Sequence, residues 1–322
     1  MQRWIAAAMA LAGVVIGAST AAAQDYPVKP VRVVIPFAAG AGTDLTGRIV
    51  AQELSKRLGQ QFFIENKPGA AAQLGTDLVA KAQADGYTLL WTVTDGLSVL
   101  PAIKVVPYVI PDDFAFIGSV AQQPYAVSVY PKAPFASMTE FVAHAKANPG
   151  KLNYGSAGVG SAPHLVIAMI STAAGIQMVH VPFAGLGPAT NALMAGTVDV
   201  GLVTPVQVKP YVETGALRAL AVSSKKRSRV LPNVPTLEET GLPVSAVVAY
   251  GLTAPARTPP STVARLRIAM DELMKDKTFT DRFNELGFEP DPLIGDAYRD
   301  FIVQDLEQWR NVAKAAAVKI DN

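Results

Sequence analysis

The sequence predicts a two-domain α/β protein with mixed, mainly parallel sheets flanked by helices. Short runs rich in valine and isoleucine alternate with longer segments whose apolar residues recur at helical spacing. This alternation is typical of parallel strands joined by helical crossovers. The chain has 322 residues, enough for two domains, with no low-complexity linker between them. We therefore expect the chain to cross between the domains more than once.

The first 23 residues are predicted to be a signal peptide rather than part of the fold. Arg3 supplies a basic start, residues 5–18 are apolar, and Ala21 to Ala23 form a small-residue cleavage site. A transmembrane anchor is the alternative, but the apolar segment is short and no basic stop-transfer flank follows it. We expect export, with cleavage near Ala23.

Composition excludes several classes of protein. Without Arg3 the mature chain has 27 basic and 26 acidic residues, so its charge does not favour nucleic acid or a membrane surface as partner. Charged residues are 17% of the chain and apolar residues 50%, which indicates a large buried core. The absence of cysteine excludes disulfides and thiolate chemistry. His144, His164 and His180 lack metal-binding spacing, so we expect neither a metal nor a cofactor.

The first part of the chain begins with an apolar β-branched run at residues 31–35, as expected for a strand covered on both faces. A loop follows, and a helix is expected from Asp44 to Gly59. Two more strands are predicted at 62–65 and 88–94, with a second helix between them.

The same alternation continues through the rest of the chain. Ser137 with Glu140, and Thr236 with Glu239, are capping-box sequences that predict helix starts. Later helices are expected around residues 263–273 and 296–317. The remaining strands are predicted at residues 126–130, 152–154, 178–181, 198–203, 217–222 and 250–255.

Two loops between a strand and a helix are the candidate binding elements. In the loop within residues 152–165, serine hydroxyls and glycine amides precede an apolar helix, whose N-terminus carries partial positive charge. Such a loop can hold an anion, although an ordinary strand–helix turn explains the spacing equally well. It matches no nucleotide-binding motif. The loop at residues 36–44 has the same form, and Asp44 is expected to cap the helix or orient the loop.

The residues contain no evident catalytic set. His164 follows Ser161 closely, but Val159 stands where the hydrolase nucleophile motif requires glycine. We expect His164 to be a hydrogen-bonded structural residue and the protein not to be an enzyme. Asp199, at the start of a predicted strand, could line a cleft or hold a turn.

A series of short motifs extends over nearly the whole mature chain and resembles one known family. They are Tyr26-Pro27, Lys29 to Arg32, Pro36-Phe37 with Gly40, Asp44 and Arg48, Glu65 to Ala70, Asp85 to Leu90, Ala147 to Ser156, Gly158 with Gly160, Ser161, His164 and Leu165, Val179 to Phe183, Pro188-Ala189, Gly196 to Val200, Gly215 to Val222, and Leu231 to Thr236. In this order they resemble the tripartite tricarboxylate transporter receptors, the TctC or Bug family.

The resemblance implies a periplasmic binding protein of the type II-like clamshell fold, with two crossover strands between its domains. Residues 24–121 would begin the first domain, residues 122–247 would form the second, and residues 248–322 would return to the first. The crossings are expected near residues 119–122 and 247–250. A monomer is expected, which would bind a small carboxylate and deliver it to the membrane subunits of a tripartite tricarboxylate-type transporter.

Carried over by position, the ligand-binding residues are expected in the two loops and in two further cleft walls at residues 94–96 and 199–205. Amides, hydroxyls and ordered waters, rather than arginines, would hold the carboxylate. The candidates are Phe37, Ala39, Gly40, Ala41, Gly42, Thr43, Asp44 and Thr94 in the first domain and Ser156, Gly158, Gly160, Ser161, His164, Asp199 and Thr204 in the second.

Three departures from the family pattern stand out. Ala41 replaces one glycine of a usual pair, which leaves the path of the first loop open. Residues 70–72 are alanines where the family commonly has glycine and asparagine, and Thr204 lies where it often has a carboxylate. Two alternative functions stay open: a co-receptor for a two-component sensor, which would use the same pocket, and a secreted hydrolase.

Overall fold

The computed structural model describes residues 26–40, 42–183 and 185–315. The predicted signal peptide, its cleavage site and Ala41 lie outside these residues. The described chain forms one six-stranded and one five-stranded sheet with helices packed on them. This confirms the predicted mixed α/β fold with two sheets.

Eleven strands and ten α-helices are described. The strands are β1 (Val31–Ile35), β2 (Phe62–Asn66), β3 (Thr88–Val93), β4 (Phe114–Pro124), β5 (Ala126–Val129), β6 (Asn153–Ser156), β7 (Val179–Pro182), β8 (Val200–Val203), β9 (Arg218–Val222), β10 (Val247–Pro255) and β11 (Glu289–Ile294). The helices are α1 (Gly42–Leu58), α2 (Gln73–Ala80), α3 (Leu100–Ile103), α4 (Met138–Ala147), α5 (Ala162–Ala174), α6 (Leu186–Met194), α7 (Pro205–Glu213), α8 (Pro260–Lys275), α9 (Lys277–Glu285) and α10 (Asp296–Ala315). A π-helical turn spans Asp95–Val99, and a 3₁₀ turn spans Glu238–Thr240.

The strand order is β11-β4-β10-β3-β1-β2 in the first sheet and β7-β6-β8-β5-β9 in the second. Parallel pairs join β1 to β2 and β3, and β6 to β7 and β8. The expectation of mainly parallel sheets is met only in these groups. Every other pair is antiparallel and includes β4, β5 or β10. These three strands lie where the chain passes between the sheets.

Two strands were not predicted as such. β4 was anticipated only as a crossing near residues 119–122, yet it is eleven residues long and pairs with β10 along its length. β11 lies at the sheet edge and contains Pro290 and Pro292. Proline cannot donate to a strand ladder, so this sequence does not read as a strand until the edge position is known.

The contact between α1 and the first sheet explains why the first loop is fixed in place. A Cβ on Gly47 would lie 2.6 Å from side-chain atoms of both Ile35 and Trp91, so only glycine allows the helix so close. Trp91 is fully buried, and its indole N–H donates to the carbonyl of Thr43 at 3.1 Å. The sheet therefore holds the start of α1 directly.

One serine ties together the segments that pass between the sheets. The hydroxyl of Ser223 accepts from the N–H of Tyr125 at 2.9 Å and donates to the carbonyl of Ala246 at 2.6 Å. The backbone of Ser223 pairs with the same two residues, at 2.8 Å each. Tyr125 joins β4 to β5, and Ala246 precedes β10. The assignment of domain boundaries on either side stays a prediction.

The capping-box predictions differ in outcome. The Ser137 hydroxyl accepts from the N–H of Glu140 at 3.2 Å and caps α4. Thr236 and Glu239 form both reciprocal bonds, at 3.1 and 2.7 Å. They close only the three-residue 3₁₀ turn, because Gly241 follows in a left-handed conformation and ends it.

Candidate functional site

The two predicted loops each follow the carboxyl end of a parallel strand. The first loop leaves β1, beside β3, which continues into Thr94. The second loop leaves β6, beside β8, which continues into Thr204. Carboxyl ends of neighbouring parallel strands meet at one sheet edge, where open α/β sheets bind ligands. Thr94 therefore lies at the same sheet edge as the first loop, and Thr204 lies at the same sheet edge as the second loop.

Asp44 organises the first loop from within. Its side chain is 4% exposed and accepts from the N–H of Gly40 at 2.9 Å, from Arg48 at 3.0 Å and from Asn66 at 2.9 Å. Asn66 also donates to the carbonyl of Phe37 at 3.0 Å. Burial by itself would raise the pKa of Asp44, but these donors outweigh it and hold the pKa below its usual range.

The other first-loop candidates present mainly backbone to solvent. Phe37 is half-buried against the core, whereas Ala39, Gly40 and Gly42 are exposed. Thr43 is buried, with its carbonyl engaged by Trp91. A Cβ on Gly42 would lie 3.8 Å from the hydroxyl of Tyr250, so β10 borders this loop.

The second loop uses its own polar groups internally. The N–H of Gly158 donates to the Ser156 hydroxyl at 3.1 Å, and the N–H of Gly160 donates to Nδ1 of His164 at 3.0 Å. The Ser161 hydroxyl donates to the carbonyl of Gly158 at 2.8 Å. Both glycines have positive φ, 122° and 76°, which explains their residue type. The amide donors of this loop are therefore already engaged. An anionic ligand would have to share them with Ser156 and His164 or displace these acceptors.

Sequence reasoning missed the partner of His164. The rings of His164 and His180 are stacked, with centroids 3.9 Å apart, and Tyr154 stacks on His180 at 4.9 Å. The pairing of β6 with β7 brings Tyr154 opposite His180. Nε2 of His180 lies 2.6 Å from the hydroxyl of Ser156. The available signal was His180 itself, which the sequence offered only as a possible metal ligand and as part of a family motif.

Burial keeps both imidazoles neutral. It lowers the pKa of His164 to about 4, with a smaller contribution from the neighbouring His180. Burial also lowers the pKa of His180. A neutral His164 is required for Nδ1 to accept from Gly160. The structural role of His164 is therefore to act as the hydrogen-bond acceptor that shapes the second loop. Ser161 and His164 do not bond to each other; each bonds within the loop.

The two remaining second-sheet candidates lie at opposite edges. Thr204 occupies the N-cap position of α7 at the carboxyl edge, and its hydroxyl donates to the side-chain oxygen of Gln207 at 3.0 Å without capping the helix. Asp199 precedes β8 at the amino edge, where its carboxylate accepts from the N–H of Asn153 at 2.8 Å. The structure therefore places Asp199 in a strand-to-strand tie, away from the loops. This bond links the starts of β6 and β8, and the role of Asp199 in a cleft stays a prediction.

The segment after β3, expected as a cleft wall, contributes a second carboxyl that was not named as a ligand-binding residue. Thr94 is buried and accepts from the Ser98 hydroxyl at 2.8 Å through its carbonyl. The next residue, Asp95, faces the backbone N–H of Ala162 at the start of α5. It is close enough to Tyr125 and Tyr250 to influence the ionisation of both. Only the tertiary fold brings Asp95 between the two loops.

A cavity of about 630 Å³ lies elsewhere, between residues 224–229, β11 and α10. No described residue of either loop lines it. Within the described ranges, no group of three or more His, Asp or Glu side chains is placed to hold a metal ion. No helix among the described residues has the length and apolar character needed to cross a membrane.

Comparison with known proteins gives consistent similarities. The family described as "Tripartite tricarboxylate transporter family receptor" (TctC) matches residues 46–318. BugT of Bordetella pertussis is 31% identical over 309 residues, which cover 94% of each chain.

Two solved structures from Rhodopseudomonas palustris are also similar. One, solved with adipate, is 29% identical with a TM-score of 0.80, covering 91% of this chain and 99% of that one. The other, MatC with bound malate, is 29% identical with a TM-score of 0.75, covering 89% and 99%.

Proposed function

Since the chain belongs to the tripartite tricarboxylate transporter family of receptors, we propose that it captures a small carboxylate in the periplasm. The protein then delivers this ligand to the membrane subunits of a tripartite tricarboxylate-type transporter. The observation that carries the proposal is the pair of strand–helix loops, one on each sheet, at the starts of α1 and α5. Each places a loop directly before a helix N-terminus, which favours negative charge, and the first loop also exposes Gly40 and Gly42.

Binding in this proposal is closure of the two halves around the ligand carboxylate. The ligand favours the closed state because only that state lets both loops contact it. Asp44 does not contact the ligand; it holds the first loop in a binding-competent shape through Gly40, Arg48 and Asn66. During closure the backbone bends at the segments that Ser223 joins, around Tyr125 and Ala246.

The geometry argues against a hydrolase. Ser156 and His180 form a close Ser–His pair, but Ser156 is fully buried and its hydroxyl also bonds to Gly158. A nucleophile must reach a substrate carbonyl, and this one is enclosed by its own loop. We therefore propose a binding function without turnover. A sensory co-receptor would use the same pocket, and the identity of the docked membrane protein distinguishes the two.

A thermal-shift screen of the mature chain against mono- and dicarboxylates tests the binding function. Ligand at about 100 times its Kd stabilises the folded state by about 2.7 kcal/mol, which raises Tm by several degrees. If no carboxylate at millimolar concentration raises Tm, the proposed function is wrong.

Two matched variants locate the binding site. Asp44→Asn removes the charge that orders the first loop and is expected to abolish the shift. Asp276→Asn changes a comparable aspartate, which bonds Arg57 at 2.7 Å and caps α9, and is expected to retain the shift. Equal loss in both variants would show that the effect is on folding and not on the loop.

A further inference from the structure

Asp95 occupies a position that the proposed binding function does not explain. It follows β3 directly and begins the π-helical turn Asp95–Val99. Single π-turns occur frequently at functional sites. The side chain is partly buried, so its carboxyl is neither a core group nor a freely solvated one.

The neighbours of Asp95 come from both sheets and from the segments between them. The backbone N–H of Ala162, in the first turn of α5, faces the carboxyl and favours its charged form. Tyr125 lies at the first passage between the sheets, and Tyr250 lies on β10. Both tyrosines are close enough for the Asp95 charge to raise their pKa values. Tyr250 pairs with Val93 at the end of β3 and also borders Gly42, so Asp95 lies between the first loop and the start of α5.

The backbone around Asp95 is held rigidly. The hydroxyl of Tyr108 donates to the carbonyl of Gly96 at 2.7 Å, and a Cβ on Gly96 would lie 2.9 Å from the hydroxyl of Thr76. The Ser98 hydroxyl bonds to the carbonyl of Thr94 and to Asp305 on α10, at 2.8 and 2.5 Å. The backbone that carries the Asp95 carboxyl is therefore fixed in position, as a selective contact requires.

The charge of Asp95 lacks a cationic side-chain partner among the described residues. Burial raises the pKa of Asp95 to about 6, so the group is largely ionised at neutral pH. Asp305, a second buried carboxyl nearby, carries charge of the same sign and cannot compensate that of Asp95. A ligand ammonium group would supply the missing positive charge, whereas a second ligand carboxylate would be repelled.

We propose that Asp95 is a specificity determinant that makes the site select amino-bearing carboxylates over dicarboxylates of the same length. This inference rests on the proposed carboxylate-binding function. The ligand carboxylate faces the loop at the start of α1, and its ammonium group faces Asp95. The selectivity differs from that of the two R. palustris proteins, whose structures hold the dicarboxylates adipate and malate.

Isothermal titration at pH 7.5 tests the proposal with length-matched pairs: 4-aminobutyrate against succinate, and 5-aminopentanoate against glutarate, with α-amino acids as a further set. The wild type is expected to bind at least one amino-bearing member about tenfold or more tightly than its dicarboxylate match. Asp95→Asn keeps the shape of the side chain and removes its charge. It is expected to reverse or abolish that preference.

Asp276→Asn is the matched control, because it removes an aspartate charge that bonds Arg57 and caps α9 and takes no part in holding the segment around Asp95. The Asp276→Asn variant is expected to keep the wild-type preference. Wild-type preference for dicarboxylates, an unchanged ratio in Asp95→Asn, or an equal change in Asp276→Asn would each overturn the role of Asp95 while leaving carboxylate binding intact. Failure of every carboxylate in the thermal-shift screen would instead overturn the binding function, and this inference with it.

Discussion

Acidification is expected to destabilise the second loop through the stacked pair of His164 and His180. Nδ1 of His164 accepts from the N–H of Gly160, and protonation of that nitrogen removes the acceptor. A second proton on His180 would place two positive rings 3.9 Å apart. Both effects require the pair to be neutral in the folded protein.

The size of the effect follows from the shift of a single group. The pKa of His164 falls from 6.5 to about 4 on folding, and each unit corresponds to about 1.36 kcal/mol. The full shift is worth about 3 kcal/mol, and solvent access at the loop reduces this to about 2 kcal/mol. Because the folded-state pKa is lowered, the stabilisation is complete above pH 6.5. It is lost as the pH falls from about 6.5 to about 4.

Urea unfolding of the mature chain at pH 7.5 and pH 4.5 measures this loss. His164→Asn retains an oxygen that can accept from Gly160 but does not titrate. The wild type should lose about 2 kcal/mol more than this variant between the two pH values. Asp95 and Asp305, whose pKa values burial raises to about 6, titrate in both proteins and cancel in the difference.

A control variant separates this pair from other histidines. His144→Asn changes the histidine on α4 that packs beside Phe135, and it should behave as the wild type. Equal losses in wild type and His164→Asn would refute the reasoning. An NMR titration that places the His164 pKa near 6.5 would do the same.

Four further substitutions test the fold. Ser223→Ala leaves the buried N–H of Tyr125 without its acceptor, so urea unfolding should show a loss of about 2 kcal/mol in the free energy of unfolding. Gly251→Ala places a Cβ 2.3 Å from the hydroxyl of the fully buried Tyr298, and a loss of about 3 kcal/mol is expected; wild-type stability would show that Tyr298 can move. Ala71→Gly relieves a left-handed backbone, φ 54°, and should raise stability by about 1 kcal/mol, whereas Ala145→Gly inside α4 should lower it by a similar amount.

The strands and helices were predictable wherever local pattern and burial agree. β1 is buried along nearly its whole length and was located to the residue, and the capping box at Ser137 correctly starts α4. β11 was not predictable in this way, because its prolines are tolerated only at the sheet edge.

The candidate site was predictable as loops, since glycines and helix starts are local features. The sequence also indicated that Asp44 caps its helix or orients its loop, because a carboxylate would repel an anionic ligand. It could not show that the glycine amides of the second loop bond to Ser156 and His164. Those bonds depend on where the loop places side chains that lie several residues further along the chain.

The fold class, the family and the two loops can be read from the linear chain, because periodicity, capping residues and motif order are local properties. The tertiary structure was needed to show which distant residues meet. It stacked His180 on His164 through the register of β6 with β7, and it placed Asp199 at the opposite edge. It also brought Asp95 between the two loops, because contacts across two sheets depend on packing that no local pattern encodes.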